Sequence, residues 1–231
     1  MKPSIAAIIP ISGTDPEFVG NQIPTLGGKS LIEYTIDAAQ QSNLIERILV
    51  STDQEHVRKA SLEFGVSAPF LRPPELANPI APVTEVLRHA TLWLQENENF
   101  IPDWIVMLLI TYPFRPKGFV DTFIRTVLSQ DLDSAFAAIE ERYSHWHIND
   151  YGMPELMSFG SDTAREKKKS FYRDHAGLIS MAKREIILSG GLYGNQLGIL
   201  PTQDMWAVLN IHDPVDTQII QYLAPHFPGN K

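Results

Sequence analysis

Ile5-Ala6-Ala7-Ile8-Ile9, running into Pro10-Ile11-Ser12-Gly13, is the stretch on which the reading of this chain turns. An unbroken apolar run that ends in turn residues fits a short strand buried on both faces, the habit of a parallel sheet. It falls far short of the ~20 residues of a membrane span and lacks a signal-peptide pattern. Two further runs read the same way: Ile45-Glu46-Arg47-Ile48-Leu49-Val50, and the stretch over 104–110 that opens Trp104-Ile105-Val106-Met107. Between them, residues 30–42, 56–64 and 83–95 place apolar side chains at helical spacing. Strand alternating with helix predicts right-handed crossovers and a doubly wound, mostly parallel α/β sheet of Rossmann-like type. In such a sheet the ligand loops lie at the carboxyl ends of the strands.

Outward from that core, residues 119–128 read as a helix and 134–139 as a strand. Periodicity then fails over 140–170, which carries Gly152, Pro154 and the run Lys167-Lys168-Lys169, and this stretch is expected to be an arm or lid within one domain over 1–231. Order returns with a strand over 178–181, a short helix over 183–188, a late strand at Ala207-Val208-Leu209 and a closing helix over 214–223.

Composition narrows the possible functions. A chain of 231 residues, 44% hydrophobic and 20% charged, is long enough to bury a substantial core. A formal net charge of -8 argues against a nucleic-acid surface, which needs an excess of Lys and Arg. The absence of cysteine excludes disulfides, thiolate nucleophiles and cysteine-held zinc, and fits the cytoplasm. No membrane association is expected.

Several short segments carry groups suited to chemistry. The loop after the first run, with Gly13 and Gly20, matches neither the dinucleotide fingerprint nor the P-loop, and it contains no Lys or Arg. Leu26-Gly27-Gly28-Lys29 reads as a tight turn with a lysine before a helix, placed to meet an anion or simply solvated. Asp53, in Ser51-Thr52-Asp53, suits a sugar hydroxyl or a helix cap. Arg115, in Thr111-Tyr112-Pro113-Phe114-Arg115, suits a bidentate contact to carboxylate or phosphate, or a surface ion pair. In Asn210-Ile211-His212-Asp213-Pro214, Asn210 and Asp213 suit magnesium better than His212 does. Asp213 before a proline is also a good helix start. His145 and His147 lack a third ligand nearby and read as loop residues.

In order and spacing these segments resemble the acylneuraminate cytidylyltransferase family. The segments are Ile8-Ile9-Pro10, Leu26-Gly27-Gly28-Lys29, Ser51-Thr52-Asp53, Phe70-Leu71-Arg72-Pro73-Pro74-Glu75-Leu76-Ala77, Tyr112-Pro113-Phe114-Arg115 and Asn210-Ile211-His212-Asp213-Pro214-Val215-Asp216. The resemblance implies a nucleotide-diphospho-sugar transferase fold, a homodimer joined through an extended arm, and magnesium-assisted transfer of CMP from CTP to an acidic sugar of the sialic or nonulosonic type with loss of pyrophosphate. It assigns nucleotide contacts to Ser12, Gly13, Asn21, Gln22, Arg72 and Ala81, sugar contacts to Asp53, Thr111 and Tyr172, and metal contacts to Asn210, His212 and Asp213.

Departures from the family pattern are concentrated where charge is needed. Ser12, Pro16 and Asn21-Gln22 stand where the family has an arginine, a lysine and Lys-Asn. Leu109 replaces a sugar-contacting glutamine, Pro82 a nucleotide-facing serine, and Asn210-Ile211-His212 the terminal Asp-Ile-Asp. Lys29, Arg115 and Arg173 are the cations expected to take over catalysis. The alternative expectation is an inactive homologue that binds nucleotide or sugar, or that partners an active paralogue.

Overall fold

The computed structural model describes residues 2–13, 25–78, 80–157, 164 and 167–230. At its centre, β1 (Ile5–Ile11) pairs in parallel with β4 (Arg47–Thr52) on one side and β5 (Trp104–Met107) on the other. The sheet order is β11-β6-β10-β5-β1-β4, completed by β6 (Ser134–Glu141), β10 (Ser180–Lys183) and β11 (Leu197–Pro201). β10 runs antiparallel to both neighbours, and β11 is parallel to β6. β9 (Phe171–Asp174) pairs antiparallel with the far end of β6. All these strands except β9 and β10 therefore point the same way, in an α/β fold of the expected class.

β1 is buried along its whole length because it feeds two cores. Ile5, Ala7, Ile9 and Ile11 pack into one hydrophobic cluster, and Ala6 and Ile8 into the other. This is the period-2 geometry of a strand between two helical layers. The first layer includes α1 (Leu31–Gln40) and α4 (Phe119–Ser129); the second includes α3 (Val83–Glu98) and α5 (Arg184–Leu188). α2 (Glu55–Glu63) follows β4 and buries Val57. Between β2 (Thr25–Leu26) and β3 (Lys29–Ser30), Gly27 and Gly28 take φ of 59° and 85°, the left-handed conformation that a two-residue hairpin turn requires. Ser30 then caps α1, its Oγ accepting from the Glu33 N–H at 3.1 Å.

Three expectations need correction. The strand expected over 104–110 ends at Met107, because the Leu109 N–H donates instead to the carbonyl of Gly177 at 2.8 Å and turns the chain out of the sheet. Ala207-Val208-Leu209 is a turn, not a strand, closed by the Leu209 N–H donating to the Trp206 carbonyl at 3.1 Å. The late strand is β11, whose Gly198 and Pro201 disguise it in sequence. The stretch over 140–170 is also more regular than expected, since β7 (Trp146–Ile148) and β8 (Pro154–Leu156) form a small antiparallel hairpin. The closing helix α6 (Pro214–Leu223) stands as read.

Candidate functional site

A cavity of about 470 Å³ opens at the carboxyl end of β1 and beside β5. Pro10 and Ser12 come from β1 and its exit; Arg72, Leu76, Asn78 and Ala81 come from the connection between α2 and α3; Val83 and Val86 come from the start of α3. The opposite wall is Leu109, Ile110, Thr111 and Tyr112, the residues that leave the sheet after β5. Asn210, Ile211 and His212 join them because the Ile211 N–H donates to the Thr111 carbonyl at 3.0 Å. A last contribution is Asp174, Ala176 and Gly177, from the break between β9 and β10.

Two buried arginines organise this region, in different ways. Arg72 is 8% exposed and donates to the carbonyls of Ser51 at 2.6 Å, Ile11 at 3.0 Å and Leu76 at 3.2 Å. It ties the ends of β1 and β4 together while lining the cavity. Arg115 is 5% exposed and donates to the carbonyls of Tyr112 (2.5 Å), Leu109 (2.7 Å), Leu178 (2.8 Å) and Gly177 (3.2 Å), and to Thr35 Oγ1 at 3.1 Å. Burial pulls its pKa down to about 9, so it stays charged at neutral pH. Arg115 does not line the cavity. The catalytic role expected for it is corrected to that of a clamp, because its donors are engaged by the backbone on both sides of the β5 exit.

Lys29 also lies elsewhere. Its ammonium pairs with Asp37, stands 4.8 Å from the Tyr34 ring centroid, and lines a separate hollow with Lys117 and Phe227. Arg173 turns outward, its Nε donating to Glu141 Oε1 at 2.7 Å. None of the three expected cations therefore lines the cavity, and among the described lining residues there is no lysine. Of the nucleotide candidates, Ser12, Arg72 and Ala81 converge on the cavity, while Asn21 and Gln22 lie outside the described residues. Gly13 sits beside the rim, its N–H donating to Asp53 Oδ1 at 2.9 Å. Asp53 thus braces the first loop and does not cap α2, whose N-cap is Gln54. Thr111 lines the cavity; Tyr172, on β9, is exposed and does not.

The magnesium candidates do not form a metal site. Asn210 Nδ2 and His212 Nε2 lie 2.9 Å apart in a hydrogen bond with each other. Asp213 caps α6, its Oδ1 accepting from the N–H groups of Val215 at 2.7 Å and Asp216 at 2.9 Å. Among the described residues no group of three or more His, Asp or Glu side chains is placed to hold a metal ion. The donor chemistry agrees, since magnesium favours carboxylate oxygens over an amide paired with an imidazole. In this arrangement Asn210 and His212 are bonded to each other and Asp213 is bonded to the start of α6, so the three are not gathered around one point.

Sequence reading missed Tyr112 and Asp174. Burial pushes the Tyr112 phenol up to about 12, with the Asp174 charge adding to the shift. The Asp174 carboxylate accepts from the Tyr193 hydroxyl at 2.8 Å, and burial followed by that contact raises the Tyr193 pKa. The signal for Asp174 was present beside Arg173, because neighbours on a strand face opposite ways. His175, next in the chain, is 2% exposed, and neither ring nitrogen has a hydrogen-bond partner among the described residues. Gly177 is required by packing: a Cβ there would stand 2.7 Å from Leu109 Cδ1 and 2.8 Å from Tyr112 Cε2.

Comparison with known proteins gives this geometry relatives. Residues 18–98 match a family model described as cytidylyltransferase. A pseudaminic acid cytidylyltransferase of Campylobacter jejuni is 30% identical over 136 residues, 59% of this chain and 58% of that protein. A CMP-N,N'-diacetyllegionaminic acid synthase of Legionella pneumophila is 34% identical over 111 residues, 48% of this chain and 47% of that one. An N-acylneuraminate cytidylyltransferase of Escherichia coli is 26% identical over 226 residues, 95% of this chain and 52% of the relative. The chain thus spans about half the length of these curated relatives. A solved CMP:2-keto-3-deoxy-manno-octonic acid synthetase in complex with CTP superposes with a TM-score of 0.68 at 13% identity, covering 96% of this chain and 99% of that one, a likeness of fold. The fold, the order of motifs around one cavity and these matches make the chain similar to the acylneuraminate cytidylyltransferases, with a cytidylyltransferase segment over residues 18–98.

Proposed function

We propose that this chain transfers CMP from CTP to an acidic sugar of the sialic or nonulosonic type, releasing pyrophosphate. The observation that carries the reading is convergence: Pro10, Ser12, Arg72, Ala81, Thr111 and Asn210, far apart in sequence and each in or beside a segment that carries the resemblance, line one cavity. In the reaction a sugar hydroxyl oxygen forms a bond to the α-phosphorus, the bond to the pyrophosphate oxygen breaks, and the hydroxyl proton leaves to solvent. The described residues supply position more than charge. Arg72 and the ends of β1 and β4 form a rigid mouth, and the largely apolar wall from Leu76 to Val86 excludes water from one side of a bound nucleotide.

A second reading is favoured by a specific observation: Lys29, Arg115 and Arg173 all lie off the cavity wall. Stabilising developing phosphate charge requires cations near the transferring group; with Arg72, itself held by backbone carbonyls, the one Lys or Arg among the described lining residues, the wall suits a protein that binds the ligand without transferring it. Pyrophosphate release from CTP and an acidic sugar, measured with and without divalent metals, separates the two. Steady release supports transfer. CTP binding by titration without release supports the binding protein, and neither binding nor release overturns both.

The same reading extends to assembly. The β7-β8 hairpin and its flanks expose Tyr143, Trp146, Ile148, Tyr151 and Met153, Tyr151 by 90% and Trp146 by 58%. Exposed apolar area of that kind suits coverage by a second copy in a homodimer. Light scattering on the whole chain is expected to give twice the monomer mass, and Trp146→Ser with Ile148→Ser to return it to the monomer. A monomeric mass for the unaltered protein at micromolar concentration would overturn the dimer.

A further inference from the structure

At the end of β9 two oppositely charged neighbours part company. The Arg173 guanidinium is drawn to Glu141, away from the cavity, while Asp174 lines it. The Asp174 carboxylate is fixed at both oxygens, Oδ2 accepting from the Tyr193 hydroxyl at 2.8 Å and Oδ1 from the Ala176 N–H. One donor on each oxygen leaves further acceptor capacity. The other charged residue among the described lining is Arg72, whose guanidinium is held by backbone carbonyls. A site for an acidic substrate thus presents a pinned carboxylate on the wall where a cation was expected. An anion-bearing part of the ligand is repelled there, and a hydrogen-bond donor is welcomed.

We propose that Asp174 is a specificity-determining residue, accepting a hydrogen bond from a hydroxyl or ammonium group of the sugar and so selecting ligands that present a donor at that point. This rests on reading the cavity as the sugar-binding part of a transferase site. A charged acceptor makes the stronger class of hydrogen bond, and a ligand lacking the donor leaves the carboxylate desolvated and unmatched. Sites of this kind discriminate more sharply than apolar walls do. The Tyr193 hydroxyl is a positioning group, since it acts on the ligand only through Asp174.

The test is a cycle between sugar and protein. N-acetylneuraminic acid and its 4-, 7-, 8- and 9-deoxy forms are titrated calorimetrically against the unaltered chain, Asp174→Asn and Asp174→Ala, with pyrophosphate release from CTP followed in parallel. One deoxy sugar is expected to bind the unaltered chain about 10- to 100-fold more weakly than its parent. The same deoxygenation should make less than about a threefold difference in Asp174→Ala, the signature of direct coupling. Asp174→Asn, which keeps an acceptor for Tyr193, guards against a folding artefact and should give an intermediate ratio at an unchanged melting temperature. Equal losses in the unaltered chain and both variants at every position would overturn the assignment, as would failure of all these sugars to bind. Coupling in affinity without pyrophosphate release sustains Asp174 and removes the transfer reading; release without coupling does the reverse.

Discussion

The half of the sheet made by β4, β1 and β5 brings Pro10 and Ser12 to the cavity from the end of an unbroken parallel strand, whereas the half containing β9 and β10 brings Asp174, Ala176 and Gly177 from the break between two reversed ones. In the first half, position follows from strand direction, so a residue just past an apolar run falls at the site. In the second, position follows from where the chain leaves the sheet. The Arg115 clamp joins the two, bonding Leu109 and Tyr112 on one side and Gly177 and Leu178 on the other.

The largest effect is expected from cutting that join. Arg115→Met leaves several buried carbonyls without donors and should destabilise the fold by about 3–5 kcal/mol. Such a loss lowers the melting temperature by more than about 6 °C in calorimetry. Arg115→Lys should not rescue it, because a single ammonium cannot reach acceptors arranged around a planar fork. A loss below about 1 kcal/mol would show that the halves hold independently.

Next in size, Asp213→Ala removes the α6 cap and should cost about 1 kcal/mol. The corresponding fall in melting temperature is about 2–4 °C, and CTP affinity should be unchanged, since the carboxylate serves the helix. A larger effect on CTP binding than on stability would return Asp213 to the site.

Each half should also respond to acid, through a histidine at least partly buried. Burial lowers the pKa of His175, as it does that of His89, so each is neutral in the folded chain at a pH where the unfolded chain binds a proton. Their contribution is intact above the unfolded value of roughly 6.5 and is lost as pH falls below it. Melting temperature is expected to drop between about pH 7 and pH 5, and His175→Leu should flatten that slope while leaving the Arg115 effect untouched. An unchanged slope in this variant would show that the imidazole is solvated in the folded state.

The smallest stability effect is expected from Asn210→Asp combined with His212→Asp. Replacing an amide and an imidazole with carboxylates supplies the oxygen donors that magnesium prefers, so magnesium affinity should rise in titration with little change in melting temperature. No gain would show that positions 210 and 212 are not placed to hold the ion even with carboxylates.

The first half of the molecule was legible because its signals are local. The apolar runs over 5–9 and 45–50 mark strands by composition alone, and Gly27-Gly28 marks its turn. Asp213-Pro214 marks a helix start in the same way. What escaped depends on distant partners. Leu109 reads as strand until the Gly177 carbonyl claims its N–H, 68 residues later by number (177 − 109). β11 is hidden by Gly198 and Pro201, tolerated because β11 is the last strand in the sheet order. The charge of Arg115 was visible, but its burial was not, because that depends on carbonyls brought together by both halves.

Gly177 carries a consequence for how this protein can change over generations. With Leu109 and Tyr112 already against its backbone, it accepts no side chain unless a neighbour yields first. Leu109, half-buried on the cavity wall, can shrink without any such precondition. Exchange at 109 therefore removes one of the two obstacles at 177, the Tyr112 ring being the other, and variants that enlarge the cavity come before variants that reshape its floor. Reversal is equally ordered: once 177 has gained a side chain, Leu109 cannot be regained alone. A history of substitutions at this wall would run in one direction, and a library that randomises 109 and 112 before 177 would recover folded variants that the opposite order discards.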